Sequence, residues 1–424
     1  LRHDIVADKL QVRVAHSLSA PHNATSVIGD PAEDAALSGY SLEFKGGEYW
    51  REMTKHDINS IVCHCAQEYD ANITSREVMT ALQSDLIPDV HPLREYVLSC
   101  GEWTEEQPDW IDWVAQQVTV KPLGDEAKGD KARGEGLWRG CFKKWFVAMV
   151  ASWMKDEVVN HQVLVLIGKQ GIFKTTWLEH LIPPHLRAYA CKLANSNDLN
   201  KDERLRIAEF GLISLDEIDS MNNRELNQLK SVITASDVNE RAAYAYTKER
   251  RVRLASFCAS GNRRDFLTDI TGNRRWLPFE VESILNPFYT TLPYDLMYAQ
   301  AWALAQDPLF GYWFDLNEIE VLEQHNQHFR DESNEEQLLD VYFAVPSTDA
   351  SNAKFLTTAE ISERLIYYGN IKKPMTLSRL GVLLSQKGFL SVRRGNPSRR
   401  GWIIYERESQ EVNSERSILS KDLY

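Results

Sequence analysis

The stretch VLVLIGKQGIFKTTWLEHL, residues 163–181, decides the fold class. Val163 to Ile167 reads as a buried strand, Gly168 to Phe173 as a turn, and a helix follows through Trp177, Leu178 and Leu181. Strand, glycine loop and helix in that order are the context a phosphate-binding loop requires. Gly168 and Gly171 let the backbone curl so that amides face anionic oxygens. Lys174 would reach the β- and γ-phosphates of a nucleoside triphosphate, Thr175 would ligate Mg²⁺, and the helix N-terminus adds its positive dipole end. The expected nucleotide-binding set is Gly168, Gln170, Gly171, Ile172, Phe173, Lys174, Thr175 and Thr176. One position departs from the usual pattern. Phe173 stands before the lysine where glycine is usual, so a bulky side chain must fit close to the loop.

About forty residues downstream, Leu212-Ile213-Ser214-Leu215-Asp216-Glu217 reads as a second strand ending in two acids. At a parallel strand's C-terminal edge, Asp216 would hold Mg²⁺ through water and Glu217 would polarise the attacking water. Asp219 reads as a helix N-cap or first-turn acid. A third strand, Leu254 to Ala259, runs into Ser260-Gly261-Asn262, where Asn262 would sit beside the γ-phosphate. Strands alternating with helices point to a parallel α/β sheet. In Thr271-Gly272-Asn273-Arg274-Arg275-Trp276, Arg274 or Arg275 would reach a neighbouring subunit's γ-phosphate, since guanidinium spreads positive charge over a transferring phosphoryl group.

Between the second and third strands lies RAAYAYTKERRVR, residues 241–253, read as two strands with a tip near Thr247 to Glu249. From Lys230 to Trp276 there are ten basic and five acidic residues, a local surplus of positive charge in a chain of net charge −13. With Tyr244 and Tyr246, that strip suits a phosphate backbone with occasional base stacking.

Farther out, residues 1–123 read as a mixed, mostly helical domain. It carries a hairpin over Ser41 to Trp50 that turns at Gly46-Gly47, a helix from Lys55 capped by Thr54, and a short helix from Ser75 to Leu82. Residues 124–136 (GDEAKGDKARGEG) read as an exposed, charged linker, and Leu137 to Met154 as an amphipathic helix. Residues 286–424 hold a helical patch (Leu296 to Leu304), an acidic stretch (Glu318 to Glu336) and a compact unit. That unit has helices over Ala359 to Tyr367 and Thr376 to Lys387, then strands over Phe389 to Arg393 and Trp402 to Tyr405, the layout of a winged helix.

Composition sets the outer limits. The chain has 424 residues, 43% hydrophobic and 26% charged, which suits two or three globular domains and excludes wholesale disorder. Trp145 to Met154 falls short of the roughly 20 apolar residues of a membrane span. The six cysteines follow no zinc or disulfide spacing and fit a reducing cytoplasm. The acidic balance argues against nucleic acid coating the whole surface.

Taken in order, GKQGIFKTT, LISLDE, LKSVITASDVNERAAYAYTKERRVR, ASGN and GNRRWLPFEV resemble the virulence-associated protein E family, superfamily 3 helicase-like AAA+ ATPases of phages and mobile elements. HPLREY, residues 91–96, is similar to that family's lead-in, and the likeness spans roughly residues 88–285. TTAEISERL, LGVLLSQKGF and RRGW are similar to the C-terminal winged-helix-like domain of some members. The resemblance implies an AAA+ P-loop core over residues 137–285 and assembly into a ring, commonly a hexamer, with ATP between subunits. It also implies DNA in a central channel touched by the hairpin before the third strand, by position Tyr246 to Arg250, with Lys248 as contact beside Arg250 and Arg251. Family members often carry a primase domain upstream. Two activities follow as expectations: an ATP-driven DNA helicase, or a DNA-binding ATPase that switches without unwinding. A small-molecule kinase fits the order of motifs less well.

Overall fold

The computed structural model describes residues 1–15, 42–44, 48–123, 131–193, 206–240, 249–267, 273–330, 333–346, 352–372, 374–394, 398–407 and 412. They form two compact units, residues 1–266 with 274–329, and residues 267–273 with 330–424.

The first unit begins with strands β1 (Arg2–Asp4), β2 (Lys9–Ala15), β3 (Leu42–Phe44) and β4 (Glu48–Glu52). Helices α1 (Lys55–Tyr69) and α2 (Ser75–Leu82) follow, and β5 (Asp89–Val90) completes a sheet of order β3-β4-β2-β1-β5. β3 and β4 pair as the expected hairpin, whose Ser41 and Gly46-Gly47 turn lie outside the described residues. α1 starts where expected, because Thr54 and Asp57 satisfy each other's backbone amides in a capping box. α2 opens with the same device, Thr74 with Glu77. The expectation of a mostly helical N-terminal domain is corrected: a five-stranded sheet is built there too.

Next come α3 (Pro92–Ser99), α4 (Trp110–Ala115), β6 (Val118–Val120) and α5 (Lys131–Met154). α5 begins at Lys131, so the second half of the expected linker is helix, and residues 124–130 lie outside the described residues. From Cys141 to Trp153 most of α5 is buried on every side. A helix that is apolar all round is a core helix rather than a surface one, which corrects the amphipathic reading. Its indoles find partners. Trp138 donates to the Ala115 carbonyl (2.9 Å), Trp145 to Phe257 (3.1 Å) and Trp153 to Gly211 (3.1 Å). Burying such a ring stabilises the fold by about 3 kcal/mol.

The central elements follow: β7 (Val163–Ile167), α6 (Lys174–His180), β8 (Ala190–Leu193), β9 (Leu212–Leu215), α7 (Asn223–Thr234), β10 (Asp237–Glu240), β11 (Glu249–Val252), β12 (Ser256–Gly261), β13 (Trp276–Ile284), α8 (Tyr294–Gln306) and α9 (Leu316–Asn326). The sheet order is β6-β13-β7-β12-β9-β8, parallel except for the edge strand β6. β7 is buried at all five positions, as a parallel strand covered on both faces must be.

One core joins what the sequence reading had separated. Leu93, Tyr96, Ile111 and Val114 from the N-terminal side share a cluster with α5 and the sheet, and so do Met297, Tyr298, Ala301 and Ala305 of α8. The division therefore falls near residue 330 rather than 286, and residues 1–123 are not a separate domain.

In the second unit, α10 (Asn334–Tyr342) and β14 (Phe343–Ala344) precede β15 (Lys354–Leu356), α11 (Thr358–Gly369), α12 (Leu377–Gln386), β16 (Leu390–Arg394) and β17 (Arg399–Glu406). β17 pairs antiparallel with β14, β15 and β16. Ile361, Leu365, Leu380, Leu383, Leu384 and Trp402 form its core. The expected order of helix, helix and hairpin is present, while residues 395–397 of the hairpin turn lie outside the described residues. No helix among the described residues is long and apolar enough to cross a membrane.

Arg253 belonged to the expected basic strip but is an interior residue, 1% exposed. Its guanidinium donates to the carbonyls of Val232, Ile233 and Ala235 at the end of α7, and to Asn160 and Ala255. A cation at a helix C-terminus satisfies carbonyls that have no partner within the helix. Arg253→Met should lower stability by about 3 kcal/mol, read as a reduced urea midpoint; an unchanged midpoint would refute that role.

Two histidines are held neutral. Burial pulls His91, the N-cap of α3, and His325, bonded to the Pro278 carbonyl, down to about 4 from 6.5. Between those values the unfolded chain binds more protons than the folded one, so stability should fall as pH drops from about 6.5 to about 4. His91→Asn keeps a capping acceptor without titrating. The loss of urea midpoint between pH 7 and pH 5 should be smaller in this variant than in the unmodified protein.

Candidate functional site

Register builds the site. Ile167 lies opposite Gly261, and Leu215 opposite Ala259, so β7, β12 and β9 end together at one edge of the sheet. The segments leaving that edge are the glycine loop 168–173, Asp216-Glu217 and Asn262. Gly168 N–H donates to the Gly261 carbonyl at 3.1 Å and ties the first to the third. A Cβ at Gly168 would meet the Val281 carbonyl oxygen at 2.8 Å, which is why glycine stands there.

Lys174 is 7% exposed. Its ammonium donates to the Gly168 and Lys169 carbonyls at 2.7 Å each and to Asn262 Oδ1 at 3.3 Å. Burial pulls its pKa down, opposed by the charges of Asp219 and Asp216. Thr175 Oγ1 lies 3.3 Å from Asp216 Oδ1 and 2.9 Å from Ser260 Oγ, and Ser260 donates to the same Asp216 oxygen at 2.8 Å. Asp216 Oδ2 is paired with Lys192 of β8 at 2.9 Å. Burial pushes the Asp216 carboxyl up, but donation from Lys192 and Ser260 leaves it below the ordinary value. Burial pulls the Lys192 ammonium's pKa down, but its bond to Asp216 outweighs this and leaves it raised, with smaller help from the charges of Glu179 and Glu217.

Two non-glycine residues here hold left-handed backbone: Phe173 at φ 67° and Glu217 at φ 53°. Each costs on the order of 1–3 kcal/mol, and such strain concentrates where a side chain must be aimed. Gly171, at φ 84°, meets the same demand without that cost.

Lys174 thus touches Asn262, and Thr175 touches Asp216, at one edge of the sheet. Arg274 and Arg275 are not with them. Trp276 pairs with Val163 at the start of β7, which puts both arginines at the opposite edge of the sheet. β7 has five residues, so the edges are about 13 Å apart at roughly 3.3 Å per residue.

The basic strip is only partly a surface. β10 pairs with β11, Asp237 opposite Val252 and Glu240 opposite Glu249. The hairpin therefore begins before the expected strand, and residues 241–248, including Tyr244, Tyr246 and Lys248, lie outside the described residues, as does the Arg250 side chain. Arg251 bonds Asp8 at 2.7 Å and lies 3.5 Å from Glu209. Arg263 pairs with Asp265, and Arg264 with Glu280.

Sequence reasoning missed Ser260 and Lys192. Ser260 stood inside the quoted ASGN segment, but nothing marked its hydroxyl as the link between Thr175 and Asp216. Lys192 had no signal, since only strand order brings β8 beside β9. Of the two expected roles Asp219 has the second: it is the first-turn acid of a short 3-10 turn, Ile218–Ser220, while Asn222 caps α7; Asp219 Oδ2 also accepts the Arg263 amide at 3.1 Å and steadies the turn after Asn262. A cavity of about 850 Å³ elsewhere in the unit is lined by Asp8, Glu52, Asp85 and Asp89 among others, and includes none of these residues.

Residues 131–332, which contain every part of this site, match the family described as Virulence-associated protein E-like domain. The match supports a place for this segment in that family. Comparison with curated proteins gives no match. Among solved structures, the apo structure of the NrS-1 C-terminal region is 12% identical with a TM-score of 0.42, covering 88% of this chain and 94% of that one. An A-form apo structure of the same region is 11% identical with a TM-score of 0.41, covering 84% and 92%.

Proposed function

We propose that this protein is an ATP-hydrolysing DNA helicase of the AAA+ superfamily 3 type, serving replication of a phage or mobile element. The observation that carries the reading is the convergence of Lys174, Thr175, Asp216, Ser260 and Asn262 at the ends of three adjacent parallel strands. In such sheets, ligands bind outside the carboxyl ends of the strands.

Each residue then has a chemical task. The Lys174 ammonium exchanges its loop carbonyls for β- and γ-phosphate oxygens. Thr175 and Asp216 fit Mg²⁺: one hydroxyl and one carboxylate are too few for an all-protein cage and suit a cation shared with substrate phosphates. No cluster of three or more His, Cys, Asp or Glu suited to a metal occurs among the described residues. Bound there, Mg²⁺ neutralises charge on the transferring phosphoryl group. Glu217 orients and polarises the attacking water, and Asn262 holds it beside the γ-phosphate. Arg274 or Arg275, remote from its own loop, serves the site of a neighbouring copy in a ring, read as a hexamer. Lys248, Arg250 and Arg251 face DNA in the channel, a role that requires Arg251 to leave Asp8. A primase domain or protein acts upstream.

A second reading, a nucleotide-controlled DNA-binding switch that does not unwind, draws on one observation. In the second unit, read as a winged helix, Arg393 lies opposite Arg400 and Arg394 opposite Arg399. Like charges facing each other across strands destabilise a hairpin, so the arrangement suits an anionic partner such as duplex DNA. Displacement of a strand from a forked duplex separates the two readings: ATP-dependent binding without displacement favours the switch.

Lys174→Ala should reduce ATP hydrolysis by about 10²-fold or more with the thermal midpoint unchanged. Lys248→Ala should keep basal hydrolysis and lose DNA binding and unwinding; intact strand separation would end the channel assignment. Lys192→Ala should lower, several-fold, the Mg²⁺ concentration needed for half-maximal ATP binding, because the ammonium on Asp216 competes with the metal. An unchanged Mg²⁺ dependence would remove Lys192 from the site.

A further inference from the structure

The substitution of Phe173 for the usual loop glycine leaves a bulky side chain in left-handed backbone, φ 67°. For an L-residue that conformation costs on the order of 1–2 kcal/mol that glycine would not incur. The ring does not insert into the core. It packs edge-on against Phe288, with centroids 6.3 Å apart, and Phe288 packs edge-on against His180 at 5.6 Å. Phe173 is the N-cap of α6 and His180 its last residue. Phe288 spans them from the segment after β13. Phe288 nevertheless remains 60% exposed, and Tyr289 beside it 89% exposed.

Pro287, the residue before Phe288, is buried, which anchors the exposed ring on its backbone. His180 is braced at both ends: its Nδ1 lies 2.7 Å from the Thr176 carbonyl, and its own carbonyl accepts the Tyr294 hydroxyl at 2.7 Å. Burial also favours its neutral form, so a flat, uncharged ring lines this side. The result is an open aromatic surface on rigid supports, continuous with the loop that holds Lys174.

We propose that Phe173, Phe288 and His180 form the base-binding platform of the nucleotide site, taking a purine ring by stacking while the triphosphate lies on the neighbouring glycine loop. The proposal rests on the nucleotide-binding reading above and adds to it which side chains hold the base and how. Stacking reads the face of a ring rather than its hydrogen-bonding edge, and every base has such a face. The site should therefore accept adenine and guanine alike and bind pyrimidine nucleotides less tightly, since a smaller ring covers less of Phe288.

The test compares magnesium ATP, GTP and CTP with inorganic tripolyphosphate by isothermal titration on the full chain. The unmodified protein should bind ATP and GTP alike, both more tightly than CTP and tripolyphosphate. Phe288→Ala should weaken ATP about tenfold and leave tripolyphosphate unchanged; Phe288→Trp should restore ATP, which a mere folding defect would not allow. Equal loss of both ligands in Phe288→Ala, or no loss, would overturn the platform. So would equal affinity of the unmodified protein for ATP and tripolyphosphate, which would leave the phosphate site standing. Failure to bind either ligand would overturn both readings at once.

Discussion

The parallel register of β7 between β12 and β13 is the constraint on which the rest depends. It ends β7 beside Gly261, and the pairing of β12 with β9 brings Asp216 to the same edge. Parallel pairing makes that edge a place where three chain segments leave the sheet together, each carrying a polar residue. The strands have no freedom to slip, because β7, β9 and β12 are buried along their whole length. A one-residue shift would exchange the faces on which every side chain packs.

α5 makes that register affordable in a chain of modest size. Its tryptophans touch β12, the segment before β9 and α4 through their indole N–H groups as well as their rings. The helix thereby joins N-terminal helices, central sheet and α8 into one core. Polar interior groups are handled with the same economy. Arg253 closes the end of α7, and Asn160 donates to the Trp145 carbonyl and Ser256, so this buried charge and this buried amide both have partners.

Electrostatics divides the expected basic strip by function. Arg253 is structural, while Arg263 and Arg264 are committed to Asp265 and Glu280. The linear surplus of positive charge therefore overstates the positive surface. In the second unit the opposite holds: Arg393, Arg394, Arg399 and Arg400 crowd one hairpin, with no carboxylate in ion-pair range among the described residues. Counting charges along a segment could not separate these cases, since Glu280 lies outside the segment counted and Asp8 far away in sequence.

Local chemistry made much of the chain legible before any coordinates. The strands Val163–Ile167 and Leu212–Leu215, the helix Ser75–Leu82 and the Thr54 cap stand where periodicity and capping rules put them. The contacts of Lys174 with Asn262 and of Thr175 with Asp216 were foreseeable because each residue lies in a segment leaving the end of an apolar strand, and parallel strands end together. What stayed hidden depends on neighbours distant in the chain. β1 has only three residues, α5 looked amphipathic until packing enclosed it, and Lys192 meets Asp216 only because β8 lies beside β9; β2, by contrast, alternates Leu10, Val12 and Val14 with Gln11 and Arg13, a period the chain does show. Propensity and period act over a few residues and are written in the sequence itself; strand order, burial and ion pairing arise only when remote segments meet, so tertiary structure alone decided them.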